Sequence, residues 1–367
     1  MYDEGMPLPP HRHKNFEWWV LGLIMLVAFV FRFQYIQDIS TTLFGFFTVL
    51  ATYLLAKRIF SWQIAAMSSF LLAISSWHVL YSFIGSEMIT AQFFLVLGLY
   101  FFWRGKTSLN LLDFAASGVF VGLGMRTGPF WIMPMVLILV FMAYWHSIKQ
   151  KYGHGAYEHT RNRLIRGFAM VMVVGIIVAS PVLWGILIHQ GDGIDPMVNT
   201  SIFASARPLQ ALIANIGTTL SHFGPFGDRA GSQLLLWPVS LLFILGCIHN
   251  VYKLIRRWHT HGHYPTVPIL LLSWFFIGLL PSFLSAQIGS DAIQLIMVAP
   301  VVMIFAGEGL WWLYDFSRKW YGRYDAHEVV IHEHHGYEKN VVATLAVCLL
   351  LFAIMLTEYH AYFSLHP

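Results

Sequence analysis

Apolar residues in this chain fall in long, nearly unbroken blocks, with polar residues gathered between them. Eleven blocks approach the roughly 20 residues that a helix needs to cross a bilayer. They cover 18–36, 40–56, 63–83, 88–103, 110–127, 130–147, 167–188, 234–254, 267–285, 293–313 and 341–359. Blocks 88–103 and 110–127 are short or interrupted, and only about three residues separate the first block from the second. Within lipid every backbone polar group must be satisfied by the segment itself, so such blocks read as helices. The pattern predicts an all-α polytopic bundle of about eleven transmembrane helices. It divides the chain into a tail 1–17, a membrane domain 18–315, a loop 316–340, and a last helix with its tail, 341–367. There is no heptad, low-complexity tract or internal repeat, which weighs against a transporter built from inverted halves.

Composition agrees with this reading. The chain is 57% hydrophobic and 11% charged, against about 25% charged in soluble domains. That excludes a soluble enzyme and a secreted disulfide scaffold. Cys247 and Cys348 lie inside apolar blocks and read as small packing residues. The first block is too long for a signal-peptide core and lacks a small-residue cleavage site, so no cleavable leader is expected.

Charge gives the orientation. With the N-terminus inside and the C-terminus outside, 18 of the 22 Lys and Arg residues fall on the inner side. The four others are Arg32, Arg126, Arg207 and Arg229. This is the positive-inside pattern, so the pI of about 9.0 is a topology signal and not a nucleic-acid footprint. Trp18, Trp19, Trp62, Trp103, Trp145, Trp258, Trp311 and Trp312 fall at inner block ends, where aromatic anchors are expected.

Outer-face chemistry has a small stock of groups. The carboxylates are Asp38, Glu87, Asp192, Asp195, Asp228, Asp291 and Glu358. Asp38 reads as a general base or as the N-cap of the second span. Glu87 reads as a second acid or as a charge complementing a helix N-terminus. Arg126 interrupts an apolar block and reads as a phosphate ligand or as the partner of a group such as Glu87. Arg229, beside Asp228, reads as a phosphate contact or a local pair. Arg32 is expected to snorkel to the outer headgroups. The loop 189–233 carries an amphipathic stretch at Leu209–Leu220 that suits an interfacial helix.

On the inner side, Glu308 in AGEGLWW is expected to bond a neighbouring helix or to carry a proton or ion. The 18 histidines gather mostly in inner segments, including IHEHH at 331–335. They lack a cysteine set or a helix-spaced HExxH, so no dedicated metal site is expected. His78 falls within a span, where hydrogen bonding between helices is expected.

The order of several segments resembles the GT-C superfamily of membrane glycosyltransferases, in its protein O-mannosyltransferase and aminoarabinose transferase branch. The segments are ISTTLFGFFTVLATYLLAKRIF, then SSWHVLYSFIG, then LGLYFFWRG, then GVFVGLGMRTG, and finally the 189–233 loop. Matching positions are Gly45, Thr48, Tyr53, Arg58, Trp77, His78, Ser82, Gly118, Gly122, Gly124, Ser201, Ile202, Phe203, Asn215, Gly227 and Asp228. They spread over about 17–315.

The resemblance implies transfer of a sugar from a polyprenyl-phosphate donor to an outer-face acceptor, with inversion. A carboxylate would act as base on the acceptor, and cations would hold the departing phosphate. Family members carry an Asp-Glu pair in a first outer loop of some tens of residues. This chain has only Gln37-Asp38-Ile39 there, and its one Asp-Glu pair is Asp3-Glu4 in the inner tail. Asp38 and Glu87 are therefore the candidate catalytic residues, with Arg126, Arg229 and Asp228 as candidates for the donor phosphate. The missing loop gives a second reading, a non-catalytic subunit of a larger membrane complex with protein partners. The partners implied are membrane lipid and a polyprenyl-phosphate sugar, with no other cofactor and no nucleic acid. The setting implied is a prokaryotic plasma membrane.

Overall fold

A computed structural model describes residues 13–33, 38–127, 132–151, 154–188, 201–204, 207–225, 234–261, 266–285, 292–324 and 335–365. In chain order the helices are α1 His13–Arg32, α2 Ile39–Ile59, α3 Trp62–Ile74, α4 Ser76–Ile84, α5 Glu87–Ser108, α6 Leu111–Thr127 and α7 Ile132–Lys151. Then come α8 His154–Ile188, α9 Pro208–Ser221, α10 Trp237–His261, α11 Thr266–Phe283, a short α12 Ala292–Leu295, α13 Ala299–Tyr324 and α14 His335–Leu365. Single 3₁₀ turns occupy Ile202–Ala204 and Ile296–Val298.

The described residues form an all-α membrane bundle. Seven helices are long and apolar enough to cross a membrane, and an eighth span results if α3 and α4 are taken as one broken crossing. The three other expected blocks coincide with α1, α6 and α7, which fall outside that set. The helix α13 forms the centre, with 83% of its apolar span buried, against 22% for α8 and 11% for α14 on the periphery. Leu345, Leu349, Phe352 and Leu356 of α14 point outward, as do Ile176, Ile177 and Trp184 of α8. Apolar residues on the outside are what a lipid solvent demands.

Small residues set the helix spacing, because lipid itself gives no hydrophobic drive between spans. A Cβ on Gly118 would sit 2.8 Å from the Val171 carbonyl oxygen, and one on Gly122 would sit 2.7 Å from that of Gly175. This is the α6–α8 seam. Gly45 lets α2 close onto Ser82 of α4 in the same way. Several positions behind the family resemblance thus have packing roles.

Three differences from the sequence reading stand out. The block 63–83 is not one straight crossing, because α3 and α4 meet at 55°. Trp103 is buried instead of anchoring at an interface, and its ring lies 3.8 Å from the Lys106 ammonium. Arg32, expected among headgroups, is 3% exposed.

Candidate functional site

The break between α3 and α4 lies at Ser75. In a continuous helix the N–H groups of Ser76 and Trp77 would donate to the carbonyls of Leu72 and Ala73. The bend removes those bonds, and a membrane interior offers no water in exchange. Two distant charged side chains take over. Arg32, at the end of α1, donates from Nη1 to the Ala73 carbonyl at 2.8 Å and from Nη2 to the Leu72 carbonyl at 3.2 Å. Glu358, near the end of α14 and also buried, accepts the Ser76 N–H at 3.0 Å. The cation meets the negative end of α3 and the carboxylate the positive end of α4, so both charges also complement the helix dipoles. This need for carbonyl acceptors inside the bundle is why Arg32 does not snorkel.

The same guanidinium begins a chain of hydrogen bonds. Arg32 Nη2 lies 2.8 Å from His78 Nδ1. A guanidinium only donates, so Nδ1 accepts and the proton of the ring sits on Nε2. That nitrogen donates to Gln92 Oε1 at 2.8 Å, and the Gln92 amide donates to the Ile296 carbonyl. Helices α1, α4 and α5 and the 3₁₀ turn before α13 are joined through side chains that are all buried. His78 therefore bonds neighbouring helices, as its place in a span suggests. Gln92 carried no signal beyond being an amide in an apolar block.

The candidate carboxylates stand at this end of the bundle. Asp38 is the N-cap of α2 and accepts from the Ser40 N–H at 2.9 Å and the Ser40 hydroxyl at 2.8 Å. The Thr41 hydroxyl adds a bond at 3.1 Å. Hydrogen bonds from Ser40, then Thr41, hold this carboxyl below its ordinary pKa. Gly85, at φ 87, ends α4, and a Cβ there would lie 3.4 Å from the Asp38 Cβ. Glu87 is exposed in the first turn of α5, two residues further on. The structure thus brings the Asp38 turn against the turn that carries Glu87.

Arg126 lies in the last turn of α6 and is exposed. Among the described residues it forms no ion pair with Glu87. Asp228 and Arg229 lie outside the described residues.

The segment after α8 leans on the same end. Ile202 donates to the Leu284 carbonyl at 3.0 Å. Asn215 of α9, buried, donates to the carbonyls of Phe283 and Ser285 at 3.2 and 2.7 Å. It caps the end of α11, much as a C-cap residue would. Leu209, Ile213 and Leu220 on the other side of α9 are exposed. A helix with its polar face docked and its apolar face outward has the form of an interfacial helix. Phe223 follows, buried against Trp77, Phe243 and Phe275.

At the opposite end, Glu308 bonds α10 as expected. It receives Asn250 Nδ2 at 2.6 Å and Lys253 Nζ at 2.5 Å, and His249 Nε2 lies 3.9 Å away. Among the described residues no three His, Cys, Asp or Glu side chains gather as a metal site, and 331–334 of IHEHH lie outside them. Cys247 and Cys348 are free thiols.

No protein-family model and no curated protein matches the chain. Solved structures do. The archaeal oligosaccharyltransferase AglB from Archaeoglobus fulgidus, in complex with an inhibitory peptide and a dolichol-phosphate, is similar at TM-score 0.52 and 13% identity, over 93% of this chain and 45% of that one. The same organism's oligosaccharyltransferase in complex with Zn and sulfate gives 0.51 at 15% identity, over 93% and 41%. ArnT from Cupriavidus metallidurans, bound to undecaprenyl phosphate, gives 0.49 at 14% identity, over 95% and 64%. The chain has a fold like that of these oligosaccharyltransferases, as the resemblance implies, and it spans less than half their length.

Proposed function

We propose that this chain is a GT-C-type, glycosyltransferase-like integral membrane protein that uses a polyprenyl-phosphate-linked sugar as donor and an acceptor at the outer face. The carrying observation is the fold likeness, over 93% of the chain, to an oligosaccharyltransferase in complex with a dolichol-phosphate. The hydrogen-bonded end of the bundle supports it, since a broken span is where membrane proteins gather polar groups near a substrate.

In this reading Glu87 or Asp38 takes the proton from an acceptor hydroxyl. The acceptor oxygen bonds to the anomeric carbon, the bond from that carbon to the phosphate oxygen breaks, and polyprenyl phosphate leaves. Arg126 neutralises the leaving phosphate, with Arg229 and Asp228 as the further candidates that the sequence offers. Glu87 is the better base of the two, because the Asp38 carboxylate is already engaged by Ser40 and Thr41.

The test is sugar transfer from a labelled polyprenyl-phosphate donor in proteoliposomes, with Glu87→Gln, Asp38→Asn and Arg126→Gln compared with wild type. Loss of transfer in Glu87→Gln is the expected result. Transfer that survives both carboxylate changes would remove both bases. The second reading, a non-catalytic subunit, is favoured by the same capping role of Asp38. It would gain if the wild-type chain transferred nothing and copurified with a stable membrane partner.

A further inference from the structure

A cavity of about 490 Å³ opens at the other end of α5, where it turns into α6. Ser108, Leu109, Asn110, Leu111, Arg163 and Arg166 line it. The two arginines lie three residues apart on α8, one helical turn, so they share a face, and both are exposed. Arg166 uses Nε on the Asn162 carbonyl at 3.3 Å. Among the described residues, no bond is formed by the rest of that guanidinium or by the whole of Arg163. Like charges at this spacing repel, and an anion between them reverses the sign.

The rest of the wall suits an anion as well. The nearby acid, Asp113, is held by Arg104 at 3.2 Å and by the Ser108 hydroxyl at 2.9 Å. Asn110 spends its carbonyl oxygen on the Leu112 N–H at 3.0 Å, which leaves its amide as a further donor. The apolar part of the wall selects the kind of anion. Leu109 holds φ 54 at the end of α5, a backbone that glycine would adopt without strain. The leucine keeps apolar surface in the cavity. Leu111 and Leu112 continue it outward, 45% and 75% exposed.

We propose that this cavity binds the phosphodiester head of an anionic phospholipid from the leaflet on that side, the inner one by the charge pattern. Arg163 and Arg166 take the phosphate, and the leucines lie along the first carbons of the acyl chains. The site is independent of sugar transfer and involves neither Asp38 nor Glu87.

The experiment is native mass spectrometry of the full chain in detergent, titrated with phosphatidylglycerol and, separately, phosphatidylcholine. Wild type is compared with Arg163→Gln/Arg166→Gln, with Arg163→Lys/Arg166→Lys, and with Arg256→Gln, an exposed arginine near the same end of α10. The expected result is about 25-fold weaker phosphatidylglycerol retention in the glutamine pair, roughly fivefold for each cation near an anionic headgroup. Phosphatidylcholine binding stays unchanged, the lysine pair keeps most of the retention, and Arg256→Gln binds like wild type. Unchanged retention in the glutamine pair, or an equal loss in Arg256→Gln, overturns the site. Displacement of the lipid by an equal concentration of inorganic phosphate overturns the lipid in favour of a soluble anion.

Discussion

Glu358 accepts the Ser76 N–H at 3.0 Å although 282 positions separate the two residues. Ser75, the N-cap position of α4, makes no side-chain cap bond of its own, so the carboxylate from α14 does that work. Glu358→Ala leaves a buried donor without an acceptor, which costs about 1–3 kcal/mol. Glu358→Gln keeps an acceptor oxygen and loses only the charge. Thermal unfolding in detergent should rank wild type above Gln above Ala, with the Ala midpoint lower by a few degrees. Equal midpoints for Ala and wild type would show that the cap contributes nothing.

Arg32 satisfies the other side of the same break. Arg32→Lys keeps the charge, but a single ammonium cannot reproduce the guanidinium fork that reaches Leu72, Ala73 and His78 together. The expected loss is again about 1–3 kcal/mol, and Arg32→Met should exceed it. Because Arg32 and Glu358 act on one bend, Arg32→Lys combined with Glu358→Ala should fall short of the sum of the single losses. Strict additivity in the unfolding midpoints would separate the two residues and remove the shared-break account.

The all-α bundle was legible because apolar blocks and basic loops are local in the chain. The helix α9 was legible too, since Leu209, Ile213 and Leu220 carry a helical period. The bend at Ser75 was not. Nothing in AISSWH forbids a straight helix, and the groups that stabilise the break sit on α1 and α14. For the same reason Arg32 looked like a headgroup contact: its acceptors, Leu72 and Ala73, lie about 40 residues away. Glu87 and Asp38 were identifiable as carboxylates, but the meeting of their two turns depends on Gly85 packing against Asp38, which no local pattern encodes.

The hydrogen bonds from Ser40 and Thr41 lower the pKa of Asp38. A lowered native pKa means that the unfolded chain binds the proton more readily. The stabilisation is therefore complete above the ordinary carboxyl value, and it is lost as pH falls through the native value below it. Asn is an equally good N-cap and does not titrate. The gap in unfolding midpoint between wild type and Asp38→Asn should stay constant at neutral pH and shift against wild type as pH drops below about 4. A gap that does not change with pH would mean that the cap bonds do not favour the ionised form.

The α6–α8 seam tests whether the glycines of the resemblance pack helices. Ala forms helix more readily than Gly by about 1 kcal/mol, yet a Cβ at Gly118 or Gly122 would overlap α8 backbone. Overpacking of this kind costs roughly 1–3 kcal/mol, so Gly118→Ala and Gly122→Ala should both lower the unfolding midpoint. Gly22 has nothing within 4 Å of its Cβ position, and Gly22→Ala should match or exceed wild type. Three equal responses would deny the seam any special closeness.

Glu308 and Lys253 predict an asymmetry. The Glu308 side chain is 3% exposed and that of Lys253 is 37% exposed. Lys253→Met strips a buried carboxylate of its cation and leaves it Asn250 at 2.6 Å and His249 at 3.9 Å. Glu308→Gln leaves a lysine whose stem already reaches the surface, where its ammonium is hydrated. Removing one member of a fully buried pair costs about 3–5 kcal/mol, and the exposure of Lys253 reduces this to about 2 kcal/mol. Lys253→Met should therefore destabilise more than Glu308→Gln. The double variant should recover part of the loss, because neither charge is then left alone. If Glu308→Gln proved the worse of the two, the carboxylate would be engaged chiefly by Asn250, and the ion pair would be secondary.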